Sequence, residues 1–373
     1  MAQELQRPPA EVRYAADLEL LARLDAELGR TAPKGWRLSA PAVVEFIVGR
    51  GEPGDKDYVT QKFIGPIAQV QRCVVTLATN RGLMLIGEPG TAKSLLSELL
   101  AAAISGDSSL TIQGSAATTE DAIKYSWNYA MLLAEGPSEK ALVPAPMYQG
   151  MTSGAVVRFE EITRCAPEVQ DALLSILSDR VLTIPEFEGA RRNTHAVQGF
   201  GVIATANTRD RGVNEMSAAL KRRFNFETIG AIGDADVETQ LVQRETDYAL
   251  ERAGIPFRLP HDFTEVLVSI FRELRRGTAG GTGVERMSSA MSTAEAVAAG
   301  VSAGLESAWF GSGTPGGKEL AAAIVGTALK DSKEDIARLK AYSERYLHGS
   351  KNPLRASLYE HLELDHVEKH TPR

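Results

Sequence analysis

One octapeptide, Gly87-Glu88-Pro89-Gly90-Thr91-Ala92-Lys93-Ser94, restricts what this chain can become more than any other stretch. It follows the apolar run Gly82-Leu83-Met84-Leu85-Ile86, which reads as a short buried strand. It leads into Leu95, Leu96, Leu99, Leu100 and Ala103, spaced as the inner face of a helix. Strand, glycine-rich loop, Lys-Ser and helix in that order make a phosphate-binding loop, a context that a chance glycine turn lacks. The loop amides and the helix N-terminus aim positive partial charge at a polyphosphate. Lys93 would reach the β- and γ-phosphates, and the Ser94 hydroxyl would ligate Mg²⁺. One position departs from the pattern: Ala92 stands where Gly normally precedes the lysine, and its Cβ is expected to be tolerated only at negative φ. The chain is therefore expected to bind a nucleoside triphosphate.

At 373 residues it is too long for one ordinary core and implies two domains plus extensions. A net charge of −7 argues against a broad nucleic-acid-binding surface. Its two cysteines, Cys73 and Cys165, make neither a metal pattern nor a disulfide framework, which points to a reducing, cytoplasmic compartment. Residues 1–13 are polar and charged, without a signal-peptide core. The most apolar long stretch, residues 294–310, carries Glu295 and Glu306 and reads as a buried helix, not a membrane span.

Residues 11–28 read as an amphipathic helix, ended by Pro33 and Gly35, and residues 42–48 as a second apolar segment; this leader is expected to cap the next domain. Strands are expected at 82–86, 110–113, 156–159, 202–206 and 224–228, with helices between them, hence parallel crossovers and a three-layer α/β domain. After Gly233 only helices are expected, at 237–252, 263–276, 287–305, 320–330 and 334–346. The division is thus an N-terminal helical extension over 1–55, an α/β nucleotide-binding domain over 56–232, an all-α lid over 233–347 and a tail over 348–373. The stretch Gly311-Ser312-Gly313-Thr314-Pro315-Gly316 matches a dinucleotide fingerprint, but it follows a helix and reads as a flexible loop. The run 277–283 reads similarly and is expected to leave the segment before Arg286 mobile.

A phosphate loop needs an acidic strand end nearby. Val156-Val157-Arg158-Phe159-Glu160-Glu161 supplies one: Glu160 would hold Mg²⁺, through its waters, and Glu161 would polarise the attacking water. Standing alone, such a pair is as often a solvated strand end. Asn207, after the apolar strand 202–206, could orient water against the γ-phosphate, although an Asn there is commonly a turn former. Arg222 and Arg223 sit just before the last strand, where arginines usually face solvent. In an oligomer one of them could reach a neighbour's γ-phosphate. Arg286 is expected to open a helix of the second domain and to close on the same phosphates.

In this order the segments resemble the AAA+ ATPases and, within them, the MoxR family, from about Phe63 to at least Val297. The resemblance rests on the octapeptide, where Ala before Lys is usual in MoxR proteins. It rests also on Glu160-Glu161-Ile162-Thr163-Arg164, similar to Asp-Glu-Ile-Asn-Arg, on Val169-Gln170-Asp171-Ala172-Leu173-Leu174, and on Ile203-Ala204-Thr205-Ala206-Asn207-Thr208. Departures are Glu160 for Asp, Thr163 for Asn, and Lys221-Arg222 where an acid would precede Arg-Phe. The resemblance implies a three-layer P-loop AAA+ domain with a parallel sheet, an all-α lid and an N-terminal helical extension. It implies ATP and Mg²⁺ as cofactors, with ATP between the α/β domain and the lid.

The binding residues implied are Gly87, Glu88, Pro89, Gly90, Thr91, Ala92, Lys93, Ser94 and Leu95, with Ile64 and Gly65 upstream, and Ser94 and Glu160 for the metal. Glu161, Asn207 as sensor 1, Arg223 as arginine finger (or Arg222 in its place) and Arg286 as sensor 2 would act in catalysis. An insertion in the second helix would lie over residues 180–200. The implied activity is that of an ATP-driven remodeller or maturation factor, a homo-oligomeric and hexameric ring with a von Willebrand factor A-type partner, touching neither membrane nor nucleic acid. Two other readings are an ATP-gated scaffold with negligible hydrolysis, motivated by Glu160, and a nucleic-acid motor, opposed by the acidic balance.

Overall fold

The computed structural model describes residues 6–207, 214–288, 291–311, 313–329 and 332–364. Two compact units emerge. One takes the chain up to Gly87 together with Ala92–Ile229, and the other takes Glu88–Thr91 together with everything from Gly230 onward.

The first unit opens with α1 (Ala10–Arg13), α2 (Ala15–Glu27), α3 (Ala40–Val48) and α4 (Ile67–Leu77). Strand β1 (Gly82–Gly87) and α5 (Lys93–Ser105) bracket the glycine-rich loop, followed by β2 (Thr111–Gln113) and α6 (Glu120–Ile123). A hairpin of β3 (Tyr125–Trp127) and β4 (Leu142–Pro144), with α7 (Tyr129–Glu135) at its tip, precedes α8 (Pro146–Ser153). Then come β5 (Val156–Glu160), α9 (Pro167–Asp171), α10 (Leu174–Ser178), a second hairpin of β6 (Val181–Thr183) and β7 (Asn193–His195), β8 (Gly201–Asn207), α11 (Ala218–Lys221) and β9 (Phe224–Thr228).

The central sheet runs β2-β5-β8-β1-β9, every pair parallel, as right-handed crossovers through helices require. Period-two alternation divides its residues between two cores: Leu83, Leu85, Val156 and Ile203 face one way, and Met84, Val157, Phe159 and Val202 the other. The leader belongs to the first core, since Leu18, Leu21, Val43, Phe46 and Ile47 are fully buried in the same cluster as Leu99 and Leu100 of α5. Polar pins hold it there. Asp25 accepts from the Ser39 amide (2.7 Å) and hydroxyl (2.6 Å), which joins α2 to the cap of α3. The buried Lys62 ammonium pairs with Asp17 at 2.7 Å between the Tyr14 and Phe46 rings.

The insertion expected over residues 180–200 is placed differently. Those residues form the β6–β7 hairpin after α10, whereas the interrupted helix lies between β2 and β5, where the β3–β4 hairpin separates α6 from α8. Glu186 joins the two hairpins, accepting from the Tyr125 hydroxyl (3.1 Å) and the Trp127 indole (3.2 Å), with Trp127 edge-on to Phe187.

The second unit comprises α12 (Ala235–Arg252), α13 (His261–Arg276), a two-residue ladder of β10 (Thr278–Ala279) with β11 (Thr282–Gly283), α14 (Thr293–Phe310), α15 (Gly317–Ala328), α16 (Lys333–Tyr342) and α17 (Pro353–His361). Its core includes Phe263, Leu267 and Phe271. Glu238, 1% exposed, accepts from Arg275 (2.7 Å) and Thr293 (2.6 Å) and contacts Arg272. Arg272 in turn donates to the carbonyls of Ile232, Gly233 and Asp234, so the segment entering the unit is clamped to α13.

Three expectations change here. Residues 277–283 are not a mobile run, because they close the β10–β11 ladder. Residues 353–361 are helical, and Leu358 and Leu364 lie in the unit's core, so residues 349–364 are part of the unit and not a tail. Arg286 does not open a helix. The start of α14 is set by a reciprocal cap, in which the Ser292 hydroxyl accepts from the Glu295 amide and Glu295 accepts from the Ser292 amide. Residues 284–288 are held non-helical ahead of it, with the Ser288 amide bound to Asp335 at 2.8 Å. The Gly311–Gly316 run joins two helices, and the Gly316 amide is capped by Glu319; Ser312 lies outside the described residues. Among the described residues no helix is long and apolar enough to cross a membrane.

Candidate active site

The C-terminal ends of β1, β5 and β8 bring the site together. Register sets Gly87 of β1 beside Asn207 of β8, and Phe159 of β5 beside Ala204, so Glu160 comes level with Thr205. The glycine-rich loop leaves β1 at Gly87 and enters α5 at Lys93, passing through the left-handed region at Gly90 (φ +75°) and at Ala92 (φ +65°). The negative φ expected at Ala92 is therefore not adopted. A left-handed alanine costs about 1–2 kcal/mol relative to the right-handed region, strain held by the helix that starts at the next residue. The Thr91 hydroxyl closes the loop onto the Glu88 carbonyl at 2.9 Å. Lys93 is 7% exposed, and its ammonium donates to the Gly87 carbonyl at 3.1 Å, across the mouth of the loop.

Ser94 meets Glu160: its hydroxyl donates to the carboxylate Oε2 at 2.7 Å. The Thr205 hydroxyl donates to the same oxygen at 2.8 Å, and the Ser97 hydroxyl to Oε1 at 2.6 Å. Arg158 donates to Oε1 at 2.9 Å. Burial alone would raise the Glu160 pKa, but the Ser97 and Ser94 hydroxyls, the Arg158 charge and Thr205 outweigh it and hold the carboxyl below its ordinary range. The group is thus a buried carboxylate that stays ionised.

Glu161 follows in the left-handed region (φ +54°), its amide donating to Thr205 Oγ1 at 2.9 Å. That twist turns its side chain away from the Glu160 cluster, into an ion pair with Arg164. Asn207 is half-buried at the end of β8, level with the start of the loop. Leu95 is partly buried on α5, and Ile64 and Gly65 occupy the segment entering α4.

The arginine expected as the finger is not gathered here. Arg223 precedes β9, and its carbonyl accepts from the Gly82 amide at 3.0 Å, at the N-terminal end of β1. The loop leaves the opposite end, about 17 Å away at ~3.3 Å per residue. Its exposed guanidinium donates to Ser178 Oγ at 2.5 Å, and Arg222 is exposed beside it. Arg286 lies in the helical unit, its Nε donating to the Arg276 carbonyl at 3.0 Å.

Sequence reasoning missed Arg158, Ser97 and Thr205. Arg158 and Thr205 each interrupt an apolar run, 156–159 and 202–206, and Ser97 lies one turn after Ser94 on the same face of α5. That interruption of pattern was the available signal.

Comparison with known proteins fits this geometry. The model of the AAA domain (dynein-related subfamily) matches residues 82–224, and that of the YehL-like AAA+ ATPase C-terminal domain matches residues 236–361. Protein YehL of Escherichia coli (strain K12) is 53% identical over 342 residues, 91% of this chain and 92% of its own length. A Staphylococcus aureus (strain USA300) protein is 26% identical over 167 residues, 45% of this chain and 62% of its own. Among solved structures, NtrX from Brucella abortus shares the fold, with a TM-score of 0.50 at 15% identity over 83% of this chain and 69% of that one. With both its sheet unit and its helical unit matched, the chain belongs to the YehL-like family of AAA+ ATPases.

Proposed function

We propose that this chain is a Mg²⁺-dependent ATP hydrolase of MoxR type, a chaperone-like remodeller or maturation factor that works as a hexameric ring with a von Willebrand factor A-type partner. The observation that carries the catalytic part of this reading is the meeting of the Ser94 hydroxyl with the ionised Glu160 carboxylate, one residue beyond the buried Lys93 ammonium. This donor set suits the groups proposed. A hydroxyl and a carboxylate at the start of a helix are hard oxygen ligands for Mg²⁺, and the ammonium and helix N-terminus suit a polyphosphate.

Ser94 and Glu160 would hold the ion, whose charge, when bound, offsets that of the β- and γ-oxygens. Lys93 would bind those oxygens, Asn207 would orient water, and Glu161 would take the water's proton. Arg223 stands at the far end of the sheet from its own loop, which suits a finger acting on a neighbour's site. The experiment follows from that placement. Arg223→Ala should bind ATP but not hydrolyse it, and mixing it with Lys93→Ala chains should restore part of the phosphate release. An intact loop on one subunit would then face an intact finger on the next. Absence of recovery despite verified subunit exchange would refute the shared site, and recovery with Arg222→Ala instead would move the finger by one residue.

One observation favours a second reading, an ATP-gated scaffold with negligible hydrolysis: the Glu161 carboxylate is engaged by Arg164. Phosphate release by the wild-type chain, with Glu161→Gln as blank, separates the two.

The contacts of Glu160 support a different expectation for its substitution from the one its sequence position suggests. From sequence, the longer acid looks like a misfit, so that Glu160→Asp would keep or raise turnover. In the structure both oxygens are already engaged, Oε1 toward Ser97 and Arg158 and Oε2 toward Ser94 and Thr205. An aspartate, one methylene shorter, would not carry its carboxylate as far toward these partners. Steady-state phosphate release at saturating ATP and Mg²⁺ should fall about tenfold, equal to about 1.4 kcal/mol of barrier. Unchanged or faster turnover would contradict this.

A further inference from the structure

Strand β5 places Val156, Arg158 and Glu160 on one face, against α5, and Val157 and Phe159 on the other. Pattern alone calls for an apolar residue at the middle position. Arg158 is there instead, 8% exposed, and all five of its N–H groups are used. Nε donates to Ser97 Oγ (3.0 Å), Nη1 to the Ser108 carbonyl (3.1 Å) and Thr111 Oγ1 (3.3 Å), and Nη2 to the Ser94 carbonyl (3.1 Å) and Glu160 Oε1 (2.9 Å). One guanidinium therefore ties the first turn of α5, the lead-in to β2 and the acidic end of β5 together. A buried arginine is tolerated only when paired and fully bonded, and this one is both.

We infer that Arg158 is the positioning residue of the proposed Mg²⁺ site, and that Arg158 and Glu160 act as one unit replacing a lone aspartate. Alternate residues on one strand face lie about 6.5 Å apart. The additional methylene of Glu160 lets Oε1 turn back to the guanidinium while Oε2 stays on Ser94 and Thr205. An aspartate at 160 would leave Arg158 charged and underpaired, and an apolar residue at 158 would leave Oε1 to Ser97 alone. The two departures from the usual pattern are thus one feature. The carboxylate is clamped from both sides, by Arg158 and Ser97 on Oε1 and by Ser94 and Thr205 on Oε2. Partners that orient metal ligands typically change metal affinity by about 10–100-fold when removed.

This inference rests on the nucleotide and Mg²⁺ reading above, so the experiment keeps the two apart by measuring binding rather than turnover. A fluorescent ADP analogue is titrated onto the full chain in EDTA and across a Mg²⁺ series, for wild type, Arg158→Met, Arg158→Lys, Glu160→Gln and the Arg158→Met/Glu160→Gln double variant. Arg158→Met should match wild type within about twofold in EDTA, yet need about tenfold more Mg²⁺ for half-maximal tightening. The double variant should be no worse than Glu160→Gln, because Arg158 acts through that carboxylate. If Arg158→Met does not fold, Arg158→Lys carries the test, since it keeps the charge but loses the fork and should raise the Mg²⁺ requirement by about threefold or more. An unchanged Mg²⁺ requirement in the folded variants, or additive losses in the double variant, overturns the inference while the nucleotide reading stands. Wild-type binding that is absent, or indifferent to Lys93, overturns both.

Discussion

Replacing Lys93 by alanine is expected to weaken ATP binding by about a hundredfold or more while the chain stays folded. The ammonium sits buried at the first residue of α5, over the Gly87 carbonyl, where the loop and helix amides would converge on phosphate. A hydrogen bond to a charged group contributes about 1.5–3 kcal/mol. Losing such bonds to the β- and γ-oxygens amounts to about 3 kcal/mol, or two decades in Kd. The fold should tolerate the change, since alanine is a strong helix former and burying a lysine is itself costly. Equilibrium titration with a fluorescent ATP analogue, beside a thermal melt, checks both halves. Near-wild-type affinity in a folded variant would remove the phosphate-loop assignment.

The second large effect is expected from Glu161→Gln, which should retain ATP and lose at least about a hundredfold in turnover, the usual contribution of a positioned base. An amide keeps the size of the carboxylate and cannot accept the proton. Glutamine is also as compatible as glutamate with the left-handed backbone at this position, so the Thr205 contact to the residue 161 amide should survive. Single-turnover phosphate release compared with ATP retention on the same sample decides the matter. If Glu160→Gln stops hydrolysis and Glu161→Gln does not, the two carboxylates have exchanged roles.

Much of the α/β unit was legible because its signals are local. The run from Gly82 to Ser94 carries strand, loop and helix within a few residues of one another, and the apolar strands of the sheet announce themselves by composition. Periodicity in the same way exposed α12 and α13 of the second unit to within two residues at each end, whereas the ends of α14, α15 and α16 fall up to three to six residues from those expected. Where two local signals competed, the reading failed. The apolar stretch after Arg286 looked helical throughout, but the cap formed by Ser292 and Glu295 starts α14 at Thr293, and Asp335, distant in sequence, holds Ser288 outside it.

What the chain determined by itself is the order of its elements and the chemistry of its loop, because these depend on neighbours along the backbone. Tertiary structure alone decided the rest. The left-handed conformation of Ala92 is imposed by the turn from β1 into α5, against the preference of an alanine. The use of Glu at position 160 depends on Arg158, which in turn needs Ser97 and Ser94 from a helix some sixty residues earlier in the chain. Arg223 is carried away from its own loop because strand β9 runs parallel to β1, so the start of one strand lies at the opposite end of the sheet from the end of the other. A buried charge can persist only when every donor and acceptor around it is met, and those partners come from separate elements that only the folded sheet brings together.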